Sequence, residues 1–201
     1  MKQVCGKRFV GKYTEIALSC IAVFVGVGIA NVGYSKDIQI SNVGSGSTQE
    51  FSVDEETTIT YIGVDPFFGG QVLISGDDIN VKGDQALSLI NVGSTYNAAK
   101  PNSLVMGGGS SVVNISNSGS GYVLLNFCEA TILGRQIYIS STSDSSNAVL
   151  STNASLGAAT TTIGAESTER VQIKASANNQ IALASGYSDA SVFVRGKKNR
   201  N

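Results

Sequence analysis

The chain has 201 residues, with 14 Lys or Arg against 15 Asp or Glu, and its formal net charge is −1. Such a balance lacks the basic excess that nucleic acids and anionic membrane surfaces require, and the absence of His excludes Ser-His-Asp and Cys-His mechanisms and most zinc sites. With 23 Gly, 2 Pro and 42% hydrophobic residues, the composition favours a β protein with many small-residue turns over a disordered linker.

Residues 1–35 have the pattern of a secretory signal peptide. Four basic residues precede an uncharged apolar run at 16–30, and small residues follow before a polar stretch. We expect this segment to be a hydrophobic signal helix that is cleaved after Ser35, or alternatively after Ala30. If it is not cleaved, the stretch from Ile16 to Tyr34 is a membrane anchor, although it is marginal against the roughly 20 residues of a spanning helix. Export is therefore predicted, to the periplasm, the cell surface or the extracellular space.

The next part of the chain, 36–76, contains three strand-like segments. They lie at 35–42, 57–64 and 69–76. We expect 36–76 to form an N-terminal cap and the first rungs of a repeating structure. The segment 38–53 is the candidate for the cap, since the first rung would otherwise be left with an unpaired sheet edge.

The remainder, 77–201, repeats one pattern four times and ends in a short basic tail. Each repeat begins with an apolar triplet, and the triplets start 34, 24 and 34 residues apart, at Ile79, Val113, Ile137 and Val171. A second short apolar element follows in each repeat, at 87–89, 123–125, 148–150 and 181–183. A third apolar patch occurs in several repeats, at 103–107, 130–134 and 160–164.

Three short strands per repeat, recurring every 20 to 35 residues or so, are typical of a solenoid. In most triplets the apolar–polar–apolar alternation sends two side chains to one face and one to the other. The sequence therefore predicts an all-β fold: a single-stranded, right-handed parallel β-helix (β-solenoid), whose inward Val, Ile and Leu stack on one another. Unequal repeat lengths indicate irregular loops, for example at 91–103, and we expect 106–111 to be a flexible corner.

Asn, Gly and Ser are suited to the corners of such a fold because they accept tight bends at low cost. Two roles remain open for the Asn residues of the repeats: inward-turned amides that stack on one another, or solvated turn residues. The second role is favoured for most of this set, which comprises Asn114, Asn117, Asn126, Asn147, Asn178 and Asn179.

Cys128 is the only Cys outside the signal segment. Its apolar neighbours and the nearby Glu129 indicate a small buried core residue, since a reactive thiol needs cationic neighbours.

The carboxylates that would serve a polysaccharide lyase or hydrolase fall into two groups. One group is Asp77, Asp78 and Asp84 with Lys82, and the other is Asp54, Glu55 and Glu56. Adjacent residues on a strand point in opposite directions, so neighbours such as Asp77 and Asp78 cannot line one site without a bend. We therefore predict no catalytic, cofactor-binding or metal-ligating residue, and a carbohydrate-active β-helix enzyme is the alternative.

The signal segment, the Gly/Ser/Thr/Asn-rich mature chain and the degenerate V-x-I triplets between Ile79 and Val194 together carry a resemblance. In these features the sequence resembles the amino-terminal passenger region of bacterial autotransporter (type V secreted) adhesins. The resemblance implies a non-catalytic scaffold at the cell surface or outer membrane, with a host glycan, a matrix protein or a neighbouring bacterial surface as partner. Residues 190–201 depart from the family pattern because they contain no β-barrel translocator, so we expect the chain to be the beginning, or a truncated copy, of a longer protein.

Overall fold

The computed structural model describes residues 36–42, 44, 46–65, 69–95, 100–144, 148–154, 157–176, 181–186 and 189–197. These residues lie within the compact unit Gly33–Asn201. The predicted signal segment and both expected cleavage sites lie outside the described residues. In the part of the chain that is described, no helix has the length and apolar character needed to cross a membrane.

The described residues form β-strands joined by turns and corners, with no helix among them. The strands are β1 (Lys36–Asn42), β2 (Thr48–Ser52), β3 (Thr57–Val64), β4 (Gln71–Ser75), β5 (Asp78–Gly83), β6 (Ser88–Val92), β7 (Ser103–Met106), β8 (Val112–Asn117), β9 (Tyr122–Asn126), β10 (Glu129–Ile132), β11 (Gln136–Ser141), β12 (Leu150–Asn153), β13 (Ala159–Ile163), β14 (Arg170–Lys174), β15 (Leu183–Gly186) and β16 (Ala190–Val194).

All pairing between these strands is parallel, and it follows three series. The first series runs from the start of β3 through β5, β8 and β11 to β14, and the second runs from the end of β3 through β6, β9 and β12 to β15. The third series contains β2, β4, β7, β10, β13 and β16, while β1 pairs along the whole length of β3. The protein is thus all-β, with parallel strands in curled sheets, which is compatible with a parallel β-helix or solenoid.

The register confirms the spacing of the four predicted triplets. Val113 pairs with Ile79 on one side and with Ile137 on the other, and Ile137 in turn pairs with Val171. The third apolar patches are also confirmed, since they are the paired strands β7, β10 and β13.

The second apolar elements are present as β6, β9, β12 and β15, but their predicted boundaries are wrong, and three of the strands begin later than predicted. β6 begins at Ser88, β12 at Leu150 and β15 at Leu183, so the preceding apolar residues lie before these strands. Leu87 is 83% exposed and Ile181 is 59% exposed. An apolar residue at a corner looks the same in sequence as one that begins a strand, and only the packing separates them.

The core is made of the inward-facing side chains of the three series. β8 and β11 alternate strictly between half-exposed and buried residues, as expected for strands with one face covered. The residues at the centre of this core are fully buried aliphatic side chains, among them Ile59, Ile79, Val81, Leu104, Val113, Leu124, Ile132 and Ile137.

A hydrogen-bonded corner follows β7. Gly107 has φ of 79°, a left-handed conformation that suits glycine, and a Cβ there would lie 2.2 Å from the Leu133 carbonyl oxygen. The buried Ser111 hydroxyl accepts a hydrogen bond from the Gly108 N–H (3.0 Å) and donates one to the Gly76 carbonyl (2.6 Å). The segment 106–111 is therefore a corner, as predicted, and a hydrogen bond connects it to the chain 35 residues earlier. Its predicted flexibility stays a prediction.

The corner after β13 repeats this arrangement. Gly164 has φ of 78°, and Thr168 takes the place of the serine. The Thr168 hydroxyl accepts from the Ala165 N–H (2.9 Å) and donates to the Gly134 carbonyl (2.7 Å), and the residue is 1% exposed. A buried hydroxyl thus satisfies one backbone donor and one backbone acceptor at each corner, which removes the cost of burying them unpaired.

Two of the predicted corner asparagines are buried, so the favoured solvated role is wrong for Asn117 and Asn126. The Asn117 side chain accepts from the Gln85 N–H (2.9 Å) and donates to the carbonyl oxygens of Gln85 and Gly121 (3.0 and 3.1 Å). Its neighbours in register are Gly83 and Ser141, so it does not stack on another asparagine.

Asn126, at the end of β9, connects its own corner to β13 of the third series. Its Oδ1 accepts from the Cys128 N–H (3.0 Å), and its Nδ2 donates to the Thr160 carbonyl (2.9 Å) and the Thr161 hydroxyl (2.8 Å). Asn114, in contrast, is half-exposed on β8. Asn147, Asn178 and Asn179 lie outside the described residues.

The segment predicted as a cap, 38–53, contains strands that continue the same pairing. Here β1 pairs with β3, and β2 pairs with β4. The three strand-like segments predicted for 36–76 are confirmed as β1, β3 and β4. The capping role of 38–53 stays a prediction.

We expect Val113→Asp to lower the free energy of unfolding by about 3–5 kcal/mol, the usual cost of an unpaired charge in a core. Val113 is fully buried between Ile79 and Ile137. Thermal unfolding followed by circular dichroism measures the loss. The matched control is Ser116→Asp, which places the same carboxylate on the half-exposed face of the same strand, in register with Lys82.

A smaller loss is expected for Ile173→Asp, because Ile173 is only half-buried on β14. If Val113→Asp melts at the same temperature as the wild type, Val113 does not belong to the inward-facing side chains of the core.

Candidate functional site

The outward face of β5, β8, β11 and β14 is the candidate binding surface, and we call it the polar face. The four strands are in register, so their outward side chains form three straight rows. The rows are Asp78, Val112, Gln136 and Arg170; then Asn80, Asn114, Tyr138 and Gln172; then Lys82, Ser116, Ser140 and Lys174. All twelve residues are half-exposed or exposed, while the alternate residues of β5, β8 and β11 point inward.

The spacing of the polar face follows from sheet geometry. Neighbouring rows of one strand lie about 6.6–7 Å apart, and neighbouring strands lie about 4.8 Å apart. Amides on adjacent strands can therefore contact each other directly. The Asn114 Nδ2 donates a hydrogen bond to the Asn80 Oδ1 at 3.3 Å, which fixes the orientation of both amides.

Tyr138 lies at the centre of the polar face, and its neighbours hold it from two sides. Its hydroxyl donates to the Gln136 Oε1 at 2.7 Å. The Arg170 guanidinium carbon lies 5.5 Å from the centre of the tyrosine ring, within range of a cation–π interaction, and an Arg170 N–H also donates to the Gln172 Oε1 at 3.4 Å. The ring is thus positioned by contacts within the face before any ligand arrives.

These groups suit a flat ligand rich in hydroxyl groups. Amide side chains offer both donors and acceptors, and a tyrosine combines an apolar ring with a polar tip. Of the four charged residues on the polar face, Asp78 is acidic and Lys82, Arg170 and Lys174 are basic, which leaves a local net charge of 3 − 1 = +2.

The first group of predicted carboxylates is divided by β5. Asp78 and Lys82 lie on the polar face, four residues apart along the strand, which corresponds to about 13 Å. Asp77 comes directly before β5 and Asp84 directly after it, and both are exposed. The strand therefore does not gather these side chains into one site.

The second group of predicted carboxylates forms a turn. Glu55 and Glu56 occupy the turn before β3, and both are exposed. The Asp54 carboxylate accepts a hydrogen bond of 2.5 Å from the Thr57 hydroxyl and so closes this turn. Within the described residues, no group of three or more His, Cys, Asp or Glu is arranged to hold a metal ion.

Cys128 is a buried free thiol with 4% of its surface exposed, which confirms the prediction of a core residue. Burial raises the pKa of this thiol, and the negative charge of Glu129 raises it slightly further, while backbone hydrogen bonds with Asn102 and Thr95 oppose the rise. The thiol is therefore held in its unreactive protonated form at neutral pH.

Sequence reasoning did not single out Tyr61, a half-buried tyrosine on β3. Burial is the main cause that raises the pKa of its phenol, and the charge of Asp65 adds to it, while a hydrogen bond with the Asn91 side chain lowers it. In sequence, the segment that contains Tyr61 shows only the alternation of a strand, so no local signal indicates that the pKa of this tyrosine is raised.

A cleft of about 480 Å³ lies on the outer side of the third series. Its two charged residues are Lys100 and Glu129, and the Thr48 hydroxyl donates to the Gln71 Oε1 across it at 3.1 Å. The cleft is open to solvent, and its lining is Gly46, Thr48, Gly69, Gln71, Lys100, Pro101 and Glu129. None of the described residues in this lining is aromatic.

Comparisons with protein-family models, with curated proteins and with solved structures find no match for this chain.

We expect stability to fall at alkaline pH, partly through Cys128. A raised folded-state pKa means that the folded protein holds the proton more tightly than the unfolded chain. The Cys128 thiol therefore contributes fully to stability below the ordinary thiol pKa of about 8.5. This contribution is lost as the pH rises through the raised pKa of the folded state. The raised pKa of the Tyr61 phenol also lowers stability as the pH rises, but at higher pH than the thiol does.

Urea midpoints measured between pH 7.5 and 10.5 test this, with Cys128→Ala as the reference. The stability difference between wild type and Cys128→Ala should shrink as the pH rises above about 8.5. A difference that stays constant up to pH 10.5 would contradict a raised thiol pKa.

Proposed function

We propose that this protein is an exported, non-catalytic β-helix scaffold that binds a hydroxyl-rich polymer, such as a host glycan, on its polar face. The observation that carries the proposal is the in-register array of amides around Tyr138. An array with a regular strand spacing along one direction matches a ligand that also repeats, and a polysaccharide has that property.

The β-helix is supported by the order in which the chain visits the three series. The strands β5, β6 and β7 belong to the first, second and third series in turn, and β8 to β10, β11 to β13 and β14 to β16 repeat this order. We call each such set of three strands a layer. A chain that adds one parallel layer with each pass builds a solenoid, and we take its hand to be right because connections between parallel strands strongly favour it.

The surroundings of the polar face favour binding over catalysis. Amides neither gain nor lose protons near neutral pH, so they recognise a ligand without transferring protons to it. Glycoside hydrolysis typically uses two carboxyl groups about 5–9.5 Å apart. The polar face carries a single carboxylate, Asp78.

Export is supported by the basic and apolar pattern of residues 1–35. Together with the repeated strands, this pattern motivates the comparison with autotransporter passenger regions. In this proposal the scaffold acts as an adhesin at the cell surface.

The binding proposal is tested with immobilised polysaccharides of neutral and acidic composition. For a polysaccharide that binds the wild type, we expect Tyr138→Ala to weaken binding about tenfold, since an aromatic contact is worth about 1.4 kcal/mol here. The matched control is Tyr122→Ala on β9, a half-buried tyrosine outside the polar face, which should leave binding unchanged.

If Tyr138→Ala binds the polysaccharide as tightly as the wild type does, the polar face is not the binding surface. Size-exclusion chromatography measures the length of the polysaccharide during incubation. A decrease in that length would support the enzyme alternative instead.

The export proposal is tested by mass spectrometry of the protein made in a Gram-negative host. We expect a mature amino terminus near Lys36 in the periplasmic fraction, or near Asn31 if cleavage follows Ala30. An intact Met1 in the inner membrane would instead assign the segment from Ile16 to Tyr34 as an anchor.

A further inference from the structure

The four charged residues of the polar face lie at its corners, and the positions between them are uncharged. Asp78 and Lys82 lie on β5. Arg170 and Lys174 lie on β14, which is in register with β5 through β8 and β11. The strands β5 and β14 are three strand spacings apart, about 14 Å. This separation exceeds the Debye length of about 8 Å at physiological ionic strength, so the β14 side of the polar face is positively charged in spite of Asp78.

Arg170 keeps its charge although a carboxylate precedes it directly in the sequence. The Glu169 carboxylate pairs with the Arg135 guanidinium instead, at 3.5 Å. Among the residues that the structure describes, no carboxylate lies within ion-pair distance of the Arg170 guanidinium. Of these two exposed arginines, Arg135 is therefore neutralised by a neighbour, whereas the charge of Arg170 is available to a ligand.

Uncharged neighbours hold the Arg170 guanidinium in place. Its central carbon lies 5.5 Å from the centre of the Tyr138 ring, and one of its N–H groups donates to the Gln172 Oε1 at 3.4 Å. Tyr138 lies on the neighbouring strand β11, so the contact directs the guanidinium towards the middle of the polar face. A guanidinium has five N–H donors in a planar fork, and the hydrogen bond to Gln172 uses one of them.

A guanidinium with free donors is suited to an anionic group on a sugar. Arginine forms two parallel hydrogen bonds with a carboxylate, and its fork fits other oxyanions in the same way. A sugar that packs against the Tyr138 ring brings its substituents next to the guanidinium that lies over this ring. Lys174, four residues further along β14 and about 13 Å away, adds a second positive charge for the next part of the polymer.

We infer that the polymer bound by the polar face is an acidic polysaccharide and that Arg170 recognises its anionic groups, which are carboxylates or sulfates. The inference rests on the proposed function, because it names the class of polymer that binds to the same surface. Neutral polysaccharides lack the group that pairs with Arg170, so they bind to the polar face more weakly.

The test compares one polymer in two charge states. Polygalacturonate carries a carboxylate on each sugar, and its methyl ester has the same backbone without these charges. Binding of the purified protein to each immobilised polymer is measured by biolayer interferometry at low ionic strength. We expect the wild type to bind polygalacturonate about tenfold more tightly than the ester, because a few exposed ion pairs together produce a factor of this size. Added salt should weaken binding to polygalacturonate and leave binding to the ester unchanged.

Substitutions at Arg170 separate its charge from its contact with Tyr138. We expect Arg170→Gln to bind polygalacturonate about fivefold more weakly than the wild type and to bind the ester equally well. Arg170→Lys keeps the charge without the planar fork, so its affinity for polygalacturonate should lie between the two. The matched control is Arg195→Gln. Arg195 also lies over an aromatic ring, that of Phe193 at 5.7 Å, but it is outside the polar face, so this variant should bind both polymers like the wild type.

Three results would overturn the inference. The first is equal binding of polygalacturonate and its ester by the wild type. The second is an equal loss of binding to both polymers in Arg170→Gln, since the arginine would then only hold Tyr138 in position. The third is the same loss in Arg195→Gln, since net charge alone would then govern binding. None of these results removes the proposed function, which fails only if Tyr138→Ala binds both polymers as tightly as the wild type does.

Dextran sulfate identifies the anionic group. If both acidic polymers bind and both lose affinity in Arg170→Gln, the site recognises carboxylates and sulfates alike. Binding of polygalacturonate alone assigns the carboxylate, and binding of dextran sulfate alone assigns the sulfate. A wild type that binds neither acidic polymer would overturn the inference. Unchanged melting temperatures of the variants establish that they are folded.

Discussion

The structure depends on parallel strands that stack in register and cover one another's inward side chains. The individual strands have four to eight residues, which is too few to be stable alone. When Val113 lies between Ile79 and Ile137, each side chain loses its contact with water on both sides. Full burial of such a side chain contributes about 1.5–3 kcal/mol. Because this gain exists only between neighbouring strands, the fold requires the same inward pattern in each layer.

Stacking also buries polar backbone groups at the corners, and a small set of side chains satisfies them. Ser111 and Thr168 each join one donor and one acceptor from segments that are distant in sequence. Asn117 and Asn126 do the same with an amide. These residues let the repeat length vary between 24 and 34 residues without leaving the corners unpaired. The insertions can therefore change in length while the ladder of aliphatic side chains keeps its register.

The proposed function follows from what this stacking leaves free. Outward positions on the strands do not contribute to the core, so their composition can serve recognition, and the array around Tyr138 is one such use. The last described layer differs from the earlier ones in the exposure of its inward apolar positions. Leu183 and Val194 are 38% and 46% exposed there, whereas Leu150 and Ile163, their partners in register, are buried.

The sequence by itself determined the alternation of the strands and their register. Both are periodic, and the offsets of 34, 24 and 34 residues between the four triplets are the offsets of the paired strands. The tertiary structure decided which residues depart from the period. Leu87 is exposed at a corner, and Asn117 is buried because its partners Gln85 and Gly121 lie in two different layers. Local sequence specifies which side of a strand a residue occupies, whereas burial at corners and ends depends on chain segments about 30 residues away.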